Sequence, residues 1–232
     1  MGFTKDMLDK AEPYLEAQAA SPFMQEMIAG TLDQQRLVYW VKVDYPYLVN
    51  FSRILAMGVL RAPDFESMRT VQRYLNYIVD EEMESHGRFA ASVGITRAEL
   101  EAQRMGPTKH SYAQHEFASA SKGELAEILT AITPCLVGWQ ILSKRILRDH
   151  QISDDNPYAW WFQTYGSDAG LDGHVVALLE LLDRLVEGCT TARRENLERI
   201  FLTSEYFETV AWKAYYTMEQ WPTPAEIKAS YT

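Results

Sequence analysis

The apolar residues of this chain recur at intervals of three and four positions along almost its whole length. This spacing places apolar side chains on one face of an α-helix, whereas a half-buried β-strand alternates apolar and polar residues. We find no convincing run of such alternation bounded by hairpin turns. The pattern therefore predicts an all-α protein.

The limits of the predicted helices follow residues that start and stop helices. A capping side chain before proline is typical of a first turn, and Thr-x-x-Gln or Thr-x-x-Glu forms a capping box. Such signals stand at Ser21-Pro22, Asn156-Pro157, Thr31 and Thr96. The predicted helices are 4–19, 22–29, 32–59, 64–92, 97–104, 108–121, 124–149, 157–187 and 192–220. Because no repeat and no linker rich in Pro, Gly or Ser interrupts them, we expect residues 1–232 to form a single helical bundle domain.

Composition restricts the partners of the chain. Its 232 residues include 32 acidic and 22 basic ones, so the formal net charge is −10. An acidic surface repels the phosphate backbone of nucleic acids. The longest uncharged run, 128–143, is too short to span a bilayer, and the first residues lack the apolar core of a signal peptide. We therefore expect a cytoplasmic protein that binds neither nucleic acid nor a membrane.

Cys135 directly follows Pro134 inside the predicted helix 124–149. Proline has no backbone N–H, so the carbonyl of Thr130 loses its helical partner beside the cysteine. Trp139 lies one turn later on the same face. A free cysteine is most often a small buried hydrophobe, but a thiolate is a strong nucleophile. The segment leaves both interpretations open, whereas Cys189 has no candidate partner and is expected to be inert.

Asp44 lies in the middle of an aromatic helix face. Trp40, Asp44, Tyr47 and Phe51 follow one another at the spacing of a single face. A buried carboxylate without a partner is costly or takes up a proton. Either a tyrosine hydroxyl or an arginine across the bundle satisfies Asp44, or Asp44 faces a pocket and bonds a polar heterocycle held between rings.

Two later segments repeat this combination of rings and acids. The last long helix places two glutamates and two rings on one face, namely Glu205, Glu208, Trp212 and Tyr215. The segment YAWWFQTY presents Tyr158, Trp161 and Tyr165 on another face. Aromatic faces usually pack in cores, so the acids are the unusual feature. Spacing alone does not decide between Glu205 and Glu208.

The histidines do not predict a metal centre. A di-iron bundle needs two Glu-x-x-His pairs, and none of the five histidines has a glutamate three positions before it. Glu82 and His86 are four positions apart, but the surrounding run EEMES is charged and is typical of a solvent-exposed face. We therefore expect no metal ion.

These segments together resemble the TenA family, also called thiaminase II. The resemblance runs from about residue 20 to Trp221 and implies the all-α haem-oxygenase-like fold. It rests on five motifs: VDYPYL around Asp44, PTKHSY ending at Tyr112, Pro134-Cys135, Phe201-x6-Glu208-x3-Trp212, and Pro157-Tyr158-x-x-Trp161-Phe162-x-x-Tyr165.

The resemblance implies a hydrolase of thiamin salvage that works without a cofactor. Such an enzyme releases hydroxymethylpyrimidine from a small aminopyrimidine, either aminomethylpyrimidine or another thiamin breakdown product. The resemblance makes Cys135 the nucleophile, Glu208 the acid–base group and Asp44 the residue that binds the pyrimidine. It places four aromatic residues in the substrate pocket: Tyr47, Tyr112, Trp139 and Tyr165. It also implies a homotetramer.

Three positions depart from the family pattern. Trp139 replaces a common tyrosine, Val43 replaces a glutamine, and Ala211 replaces an aromatic residue. Because these changes surround the pocket, the leaving group stays open among an amine, a formylated amine and thiazole. Two other functions also fit the fold: an oxidase, metal-free or metal-dependent, and a pyrimidine-binding protein without catalytic activity.

Overall fold

The computed structural model describes residues 2–167 and 169–231, and all regular elements in that part of the chain are helices, which confirms the predicted all-α class. A π-helical segment, Ile78–Glu82, lies between α4 and α5. The helices are α1 Phe3–Ala19, α2 Pro22–Ala29, α3 Gln34–Leu60, α4 Phe65–Tyr77, α5 Met83–Ser92, α6 Arg97–Glu101, α7 Pro107–Lys122, α8 Leu125–Asp149, α9 Ala159–Gly166, α10 Ala169–Val186, α11 Thr191–Thr217 and α12 Pro224–Ala229.

Helices α3 and α8 form the centre of the bundle. Apolar side chains surround α3, and α8 packs against α7, α9, α10 and α11. Helix α8 is long and apolar enough to cross a membrane, but 89% of its most apolar 18 residues are buried inside the bundle. The apolar character of α8 is therefore that of a core helix.

The prediction of one helix over 157–187 is wrong. Helix α9 ends at Gly166, and α10 begins at Ala169. Gly166 lies so close to α8 that a Cβ there would be 2.7 Å from Leu147 Cδ1. Glycine weakens a helix interior but permits close approach, so Gly166 packs α9 against the core and coincides with its end.

Two of the four predicted caps are confirmed. Ser21 accepts a hydrogen bond from the backbone of Met24, and Thr96 forms its capping box with Glu99. The other two predictions are wrong. Asp33, not Thr31, caps α3. Tyr158, not Asn156, directly precedes α9, although Asn156 Oδ1 accepts a hydrogen bond from the Tyr158 backbone N–H at 2.8 Å, and the Asn156 amide donates to the carbonyls of Met27 and Ile28 at 3.0 Å each.

The C-terminal region differs from the prediction and supports the start of α7. Helix α11 ends at Thr217 rather than at 220, because Met218 adopts a left-handed conformation with φ 51°. The short helix α12 follows and was not predicted. Between them, the Glu219 carboxylate accepts hydrogen bonds from the Thr108 backbone N–H at 2.8 Å and from its hydroxyl at 3.0 Å. Glu219 thereby fixes the first turn of α7.

Candidate active site

A narrow cavity lies between α3, the π segment, α8 and α9. It contains about 420 Å³ of space not filled by atoms, of which about 20 Å³ is open to the centre of a water molecule. Its wall includes Trp40, Asp44, Glu82, Cys135, Trp139 and Tyr165. The cavity thus brings a thiol, two carboxyl groups and three aromatic rings together from four separate parts of the sequence.

Four of the predicted site residues line this cavity, and three do not. Cys135, Asp44, Trp139 and Tyr165 belong to its wall. The other three side chains are Tyr47, Tyr112 and Glu208, which are buried beside it. The structure therefore groups the predicted residues in two layers, a wall and a polar layer beneath it.

Asp44 is buried between two basic side chains. Its Oδ1 lies 3.0 Å from Lys109 Nζ, and its Oδ2 lies 3.1 Å from His86 Nε2. His86 Nδ1 is 3.0 Å from the backbone carbonyl oxygen of Glu82. A carbonyl oxygen only accepts hydrogen bonds, and so does an ionised carboxylate. Both nitrogens of His86 must therefore donate, which makes this ring an imidazolium.

The charges of this group support one another. Burial disfavours the charged form of Asp44, but Lys109 and His86 outweigh burial and lower its pKa. Burial likewise acts against protonated His86, yet its hydrogen bond to Asp44 raises the pKa of the imidazole. The pKa of Lys109 is well above its ordinary value, since neighbouring acidic groups overcome its burial. Asp44 is thus held ionised by two cations.

Two expectations about this region are corrected by the structure. The partners of Asp44 are a lysine and a histidine, not a tyrosine or an arginine. The run EEMES is not a wholly solvent-exposed face, because His86 is buried and Glu82 lines the cavity, while Glu81 and Glu84 are exposed. The signal in the sequence was the four-residue spacing of Glu82 and His86, which puts both on the inward face.

Glu82 is the second carboxyl group of the cavity wall. The Tyr165 hydroxyl donates to its Oε1 at 3.2 Å. Burial raises the pKa of Glu82 to about 7, and the nearby charge of Asp44 contributes in the same direction. This carboxyl group therefore changes its charge near neutral pH.

Cys135 is half-buried and lies against Glu208. Burial raises the pKa of the thiol well above its ordinary value, the Glu208 carboxylate adds to this, and Lys109 opposes it. The pKa of Glu208 is also raised by burial and is lowered in part by Lys109. A carboxylate with a raised pKa beside a thiol can accept the thiol proton.

Glu205 occupies a different environment from Glu208, one turn away on α11. Gln18 of α1 donates to Glu205 Oε2 at 3.4 Å, and Gln18 also bonds Thr209. Burial raises the pKa of Glu205 to about 8. Because Glu208 acts on the pKa of the Cys135 thiol, the geometry favours Glu208 in the acid–base role, a choice that spacing could not make.

The layer beneath the cavity contains an acid that the sequence analysis missed. The Tyr47 hydroxyl donates to Glu116 Oε1 at 2.8 Å, and the rings of Tyr47 and Tyr112 stack with centroids 5.6 Å apart. Glu116 is fully buried, which raises the pKa of its carboxyl group well above the usual range. Lys109, Tyr112 and Glu116 share one face of α7 at i, i+3 and i+7, and this spacing was the available signal.

Trp139 is the centre of the aromatic wall. Its ring centroid lies 5.0 to 5.4 Å from the centroids of four other rings, which belong to Trp40, Trp161, Tyr165 and Trp212. Tilted ring pairs at such distances are favourable. Apolar walls with a few converging polar groups suit a flat heterocyclic ligand.

Several buried polar atoms near this layer have no hydrogen-bond partner within the described part of the chain. They include Glu208 Oε1, Tyr112 Oη and Tyr215 Oη. Within residues 2–167 and 169–231, no group of three or more His, Cys, Asp or Glu side chains is arranged to hold a metal ion. Buried polar atoms are normally paired, so these three are unusual.

Comparisons with known proteins match nearly the whole chain. A family model described as TENA/THI-4/PQQC matches residues 8–218. The aminopyrimidine aminohydrolase of Halalkalibacterium halodurans is 29% identical over 221 residues, which cover 95% of this chain and 98% of that protein. The aminopyrimidine aminohydrolase of Bacillus subtilis is also 29% identical, over 97% of this chain and 94% of that protein.

Solved structures agree with the fold. A TenA family transcription regulator from a Silicibacter species superposes with a TM-score of 0.85 and 26% identity, over 93% of this chain and 96% of that one. A Shewanella denitrificans domain described as having a heme oxygenase-like fold superposes with a TM-score of 0.72 at 13% identity, over 94% and 93% of the two chains. The predicted haem-oxygenase-like fold is confirmed.

Proposed function

This chain belongs to the TENA/THI-4/PQQC family, and we propose that it is an aminopyrimidine aminohydrolase of thiamin salvage. The substrate is a small aminopyrimidine such as aminomethylpyrimidine, and the product is hydroxymethylpyrimidine. The observation that carries the proposal is that Cys135 and Asp44 line one ring-walled cavity, with the buried Glu208 close enough to act on the pKa of the thiol.

Asp44 is the group that binds and polarises the pyrimidine. It is already ionised and fixed by His86 and Lys109 before a ligand binds. A carboxylate offers about four acceptor sites, and these two neighbours use two of them. The remaining lone pairs accept from the amino group and from a protonated ring nitrogen of the substrate, and the protonated ring more readily takes up an electron pair. Trp139 and Tyr165 form part of the aromatic wall against which the ring packs.

Cys135 attacks the ring after giving its proton to Glu208. The S–H electron pair forms a sulfur–carbon bond, and the ring takes up the displaced electron pair. That pair then expels the amine from the methylene carbon, and Glu208 returns the proton to the departing nitrogen. Water adds to the methylene carbon, its second proton passes to Glu208, and the thiolate leaves the ring. The balance is one aminomethylpyrimidine and one water giving one hydroxymethylpyrimidine and one ammonia.

The test measures ammonia and hydroxymethylpyrimidine after the protein is incubated with aminomethylpyrimidine, its formylated derivative or thiamin. We expect turnover of at least one of them and, for Cys135→Ser, a loss of about 10³-fold or more, because the nucleophile is removed. Cys189→Ser is the matched control and should retain full activity. Failure of all three compounds to react would refute the proposal.

A thermal shift with hydroxymethylpyrimidine separates catalysis from binding alone. Binding to the folded state raises the melting temperature whether or not the chain turns substrate over. A shift combined with no turnover of any of the three compounds would make the chain a pyrimidine-binding protein. Oxygen consumption in place of ammonia release would instead indicate an oxidase of the same fold.

We also propose that the enzyme acts in the cytoplasm as a homotetramer. Large apolar side chains are exposed where α3 ends and α4 begins, with Leu60 82% and Phe65 72% accessible. Exposed apolar surface of this kind favours contact with another subunit. Light scattering coupled to gel filtration should give the mass of four chains, and the mass of one chain would contradict the assembly.

A further inference from the structure

Lys109 is a lysine buried in the interior of the bundle. It lies in the first turn of α7, where Glu219 fixes the preceding Thr108, and only 2% of it is accessible. A buried ammonium group is costly unless anions and hydrogen bonds compensate it. Anions or hydrogen-bond acceptors must therefore surround the Lys109 ammonium group.

The surroundings of the Lys109 ammonium combine one carboxylate with aromatic faces. Nζ is 3.0 Å from Asp44 Oδ1 and 3.5 Å from the centre of the Tyr47 ring. The ring centres of Tyr112 and Tyr215 are 5.5 and 5.9 Å away. A cation over the face of an aromatic ring is attracted by its quadrupole, more strongly when water is excluded. These contacts offset the cost of burying the Lys109 ammonium group.

The charges around Asp44 do not cancel. Asp44 carries one negative charge, whereas Lys109 and the His86 imidazolium carry two positive ones. A buried surplus of positive charge favours a further negative charge nearby. The other titratable groups that interact with Lys109 or adjoin this group are Tyr47 of α3, Glu82 of the π segment, Tyr112 and Glu116 of α7, Cys135 of α8, and Glu208 and Tyr215 of α11.

Among these groups, Cys135 and Glu208 are suited to share the additional charge. They lie within one buried cluster and act on each other electrostatically, and Lys109 lowers the pKa of each. When the thiol proton moves to Glu208, the negative charge moves from oxygen to sulfur and the total charge does not change. A cation that interacts with both therefore stabilises the pair in either form.

We propose that Lys109 is a positioning residue that holds Asp44 in its carboxylate form and stabilises one negative charge shared by Glu208 and Cys135. This inference rests on the proposed function, because it takes Cys135 and Glu208 as the reacting pair. It assigns a role to a side chain that forms no part of the cavity wall. If Lys109 only satisfied Asp44, its removal would leave the titration of the thiol unchanged.

The test follows the alkylation of Cys135 by iodoacetamide as a function of pH, without any substrate. All proteins carry Cys189→Ser, so that mass spectrometry reports a single thiol. The comparison is between the parent, Lys109→Met and the control Lys122→Met, which removes an exposed lysine from the same helix. Methionine keeps much of the length of lysine and removes its charge.

We expect Lys109→Met to move the midpoint of alkylation upward by about one pH unit or more, and to slow the reaction near pH 7.5 by about tenfold or more. The direction follows because loss of a nearby cation disfavours the thiolate. Lys122→Met should match the parent. A folded Lys109→Met protein whose pH profile coincides with that of the parent would overturn the inference.

If Lys109→Met does not fold, the double variant Lys109→Met/Asp44→Asn removes the opposing charges together. It should fold, and its alkylation midpoint should still lie about one unit or more above that of the parent; a midpoint equal to the parent's would reject the role. Alkylation does not require hydrolysis. An enzyme that releases ammonia but titrates normally without Lys109 would refute this inference alone, and a shifted thiol without turnover would refute the proposed function alone.

Discussion

The two halves of the site are prepared for a ligand in opposite ways. In the carboxylate half, formed by Asp44, His86 and Lys109, both carboxylate oxygens already have basic partners, and the pKa of Asp44 is lowered. In the thiol half, formed by Cys135 and Glu208, burial raises both pKa values, and Glu208 Oε1 has no hydrogen-bond partner in the described part of the chain. One half has both carboxylate oxygens paired, whereas the other shares a single negative charge and has an unpaired carboxyl oxygen.

This difference separates binding from reaction. A fixed carboxylate between two cations does not need to reorganise when a ring binds to it, which is the condition for electrostatic preorganisation. A thiol and a carboxyl group with raised pKa values exchange a proton more easily than groups held in one charge state. Experiments that remove one half at a time should therefore give different kinds of defect.

The largest effect is expected from breaking the carboxylate half. Asp44→Ala leaves Lys109 and His86 buried without their shared anion, so we expect a loss of about 3–5 kcal/mol of unfolding free energy together with loss of hydroxymethylpyrimidine binding. Urea denaturation and thermal shift measure these two quantities. Glu84→Ala breaks an exposed pair with Arg97 and should cost less than about 1 kcal/mol. Equal losses in the two variants would contradict the stabilising role of Asp44.

Breaking the thiol half should affect turnover and leave binding intact. Glu208→Gln keeps the size of the side chain but removes the proton acceptor, so kcat should fall by about 10²–10³-fold while hydroxymethylpyrimidine still binds. Glu205→Gln is the matched control from the neighbouring turn of α11. We expect its kcat to stay within about threefold of the parent. If Glu205→Gln were the more damaging change, the assignment of Glu208 would be wrong.

A smaller effect is expected at Glu82, where the two halves meet in the cavity wall. Its pKa is raised to about 7, so the group is neutral below that pH and anionic above it. An anion there attracts the ammonium group of aminomethylpyrimidine. KM should therefore fall by about threefold to tenfold between pH 6 and 8, and Glu82→Gln should remove this trend. Glu81→Gln, which alters the exposed neighbour, should leave the pH dependence unchanged.

The raised pKa of Glu82 also predicts how the free energy of unfolding depends on pH. Its pKa is higher in the folded state than in the unfolded chain, so the folded state binds the proton more tightly. The stability that this provides is complete below the unfolded pKa and is lost as pH rises through about 7. Relative to the parent, Glu82→Gln should therefore become more stable as pH increases from 5 to 8, as measured by urea denaturation. A constant difference between the two proteins would contradict the raised pKa.

The fold could be predicted from the sequence because helical periodicity is a local property. The spacing of apolar residues was enough for the class and for most helices, including the central α3 and α8. The break between α9 and α10 was missed, although Gly166, Ser167 and Gly170 interrupt the apolar pattern there. The close approach of Gly166 to α8 is a property of tertiary packing that the pattern does not show.

The site was only partly predictable, because charged residues near one another in the fold are distant in the sequence. Asp44 and Cys135 stood out as unusual residues on aromatic faces, and both line the cavity. Lys109 and His86 did not stand out, because each lies in a polar stretch that resembles a solvent-exposed surface. Only their convergence on one carboxylate shows their importance, and that convergence is a property of the tertiary structure.

The π segment sets the register in which α5 presents His86 to Asp44. A π turn accommodates one more residue than an α turn, so the helix that contains Ile78–Glu82 has an inserted residue. If the same residues formed regular α-helix instead, every residue after this turn would lie about 100° further around the helix axis. His86 would then turn away from Asp44, although every side chain of the site was still encoded. At this position the helix geometry, rather than the identity of any amino acid, determines whether His86 lies beside Asp44.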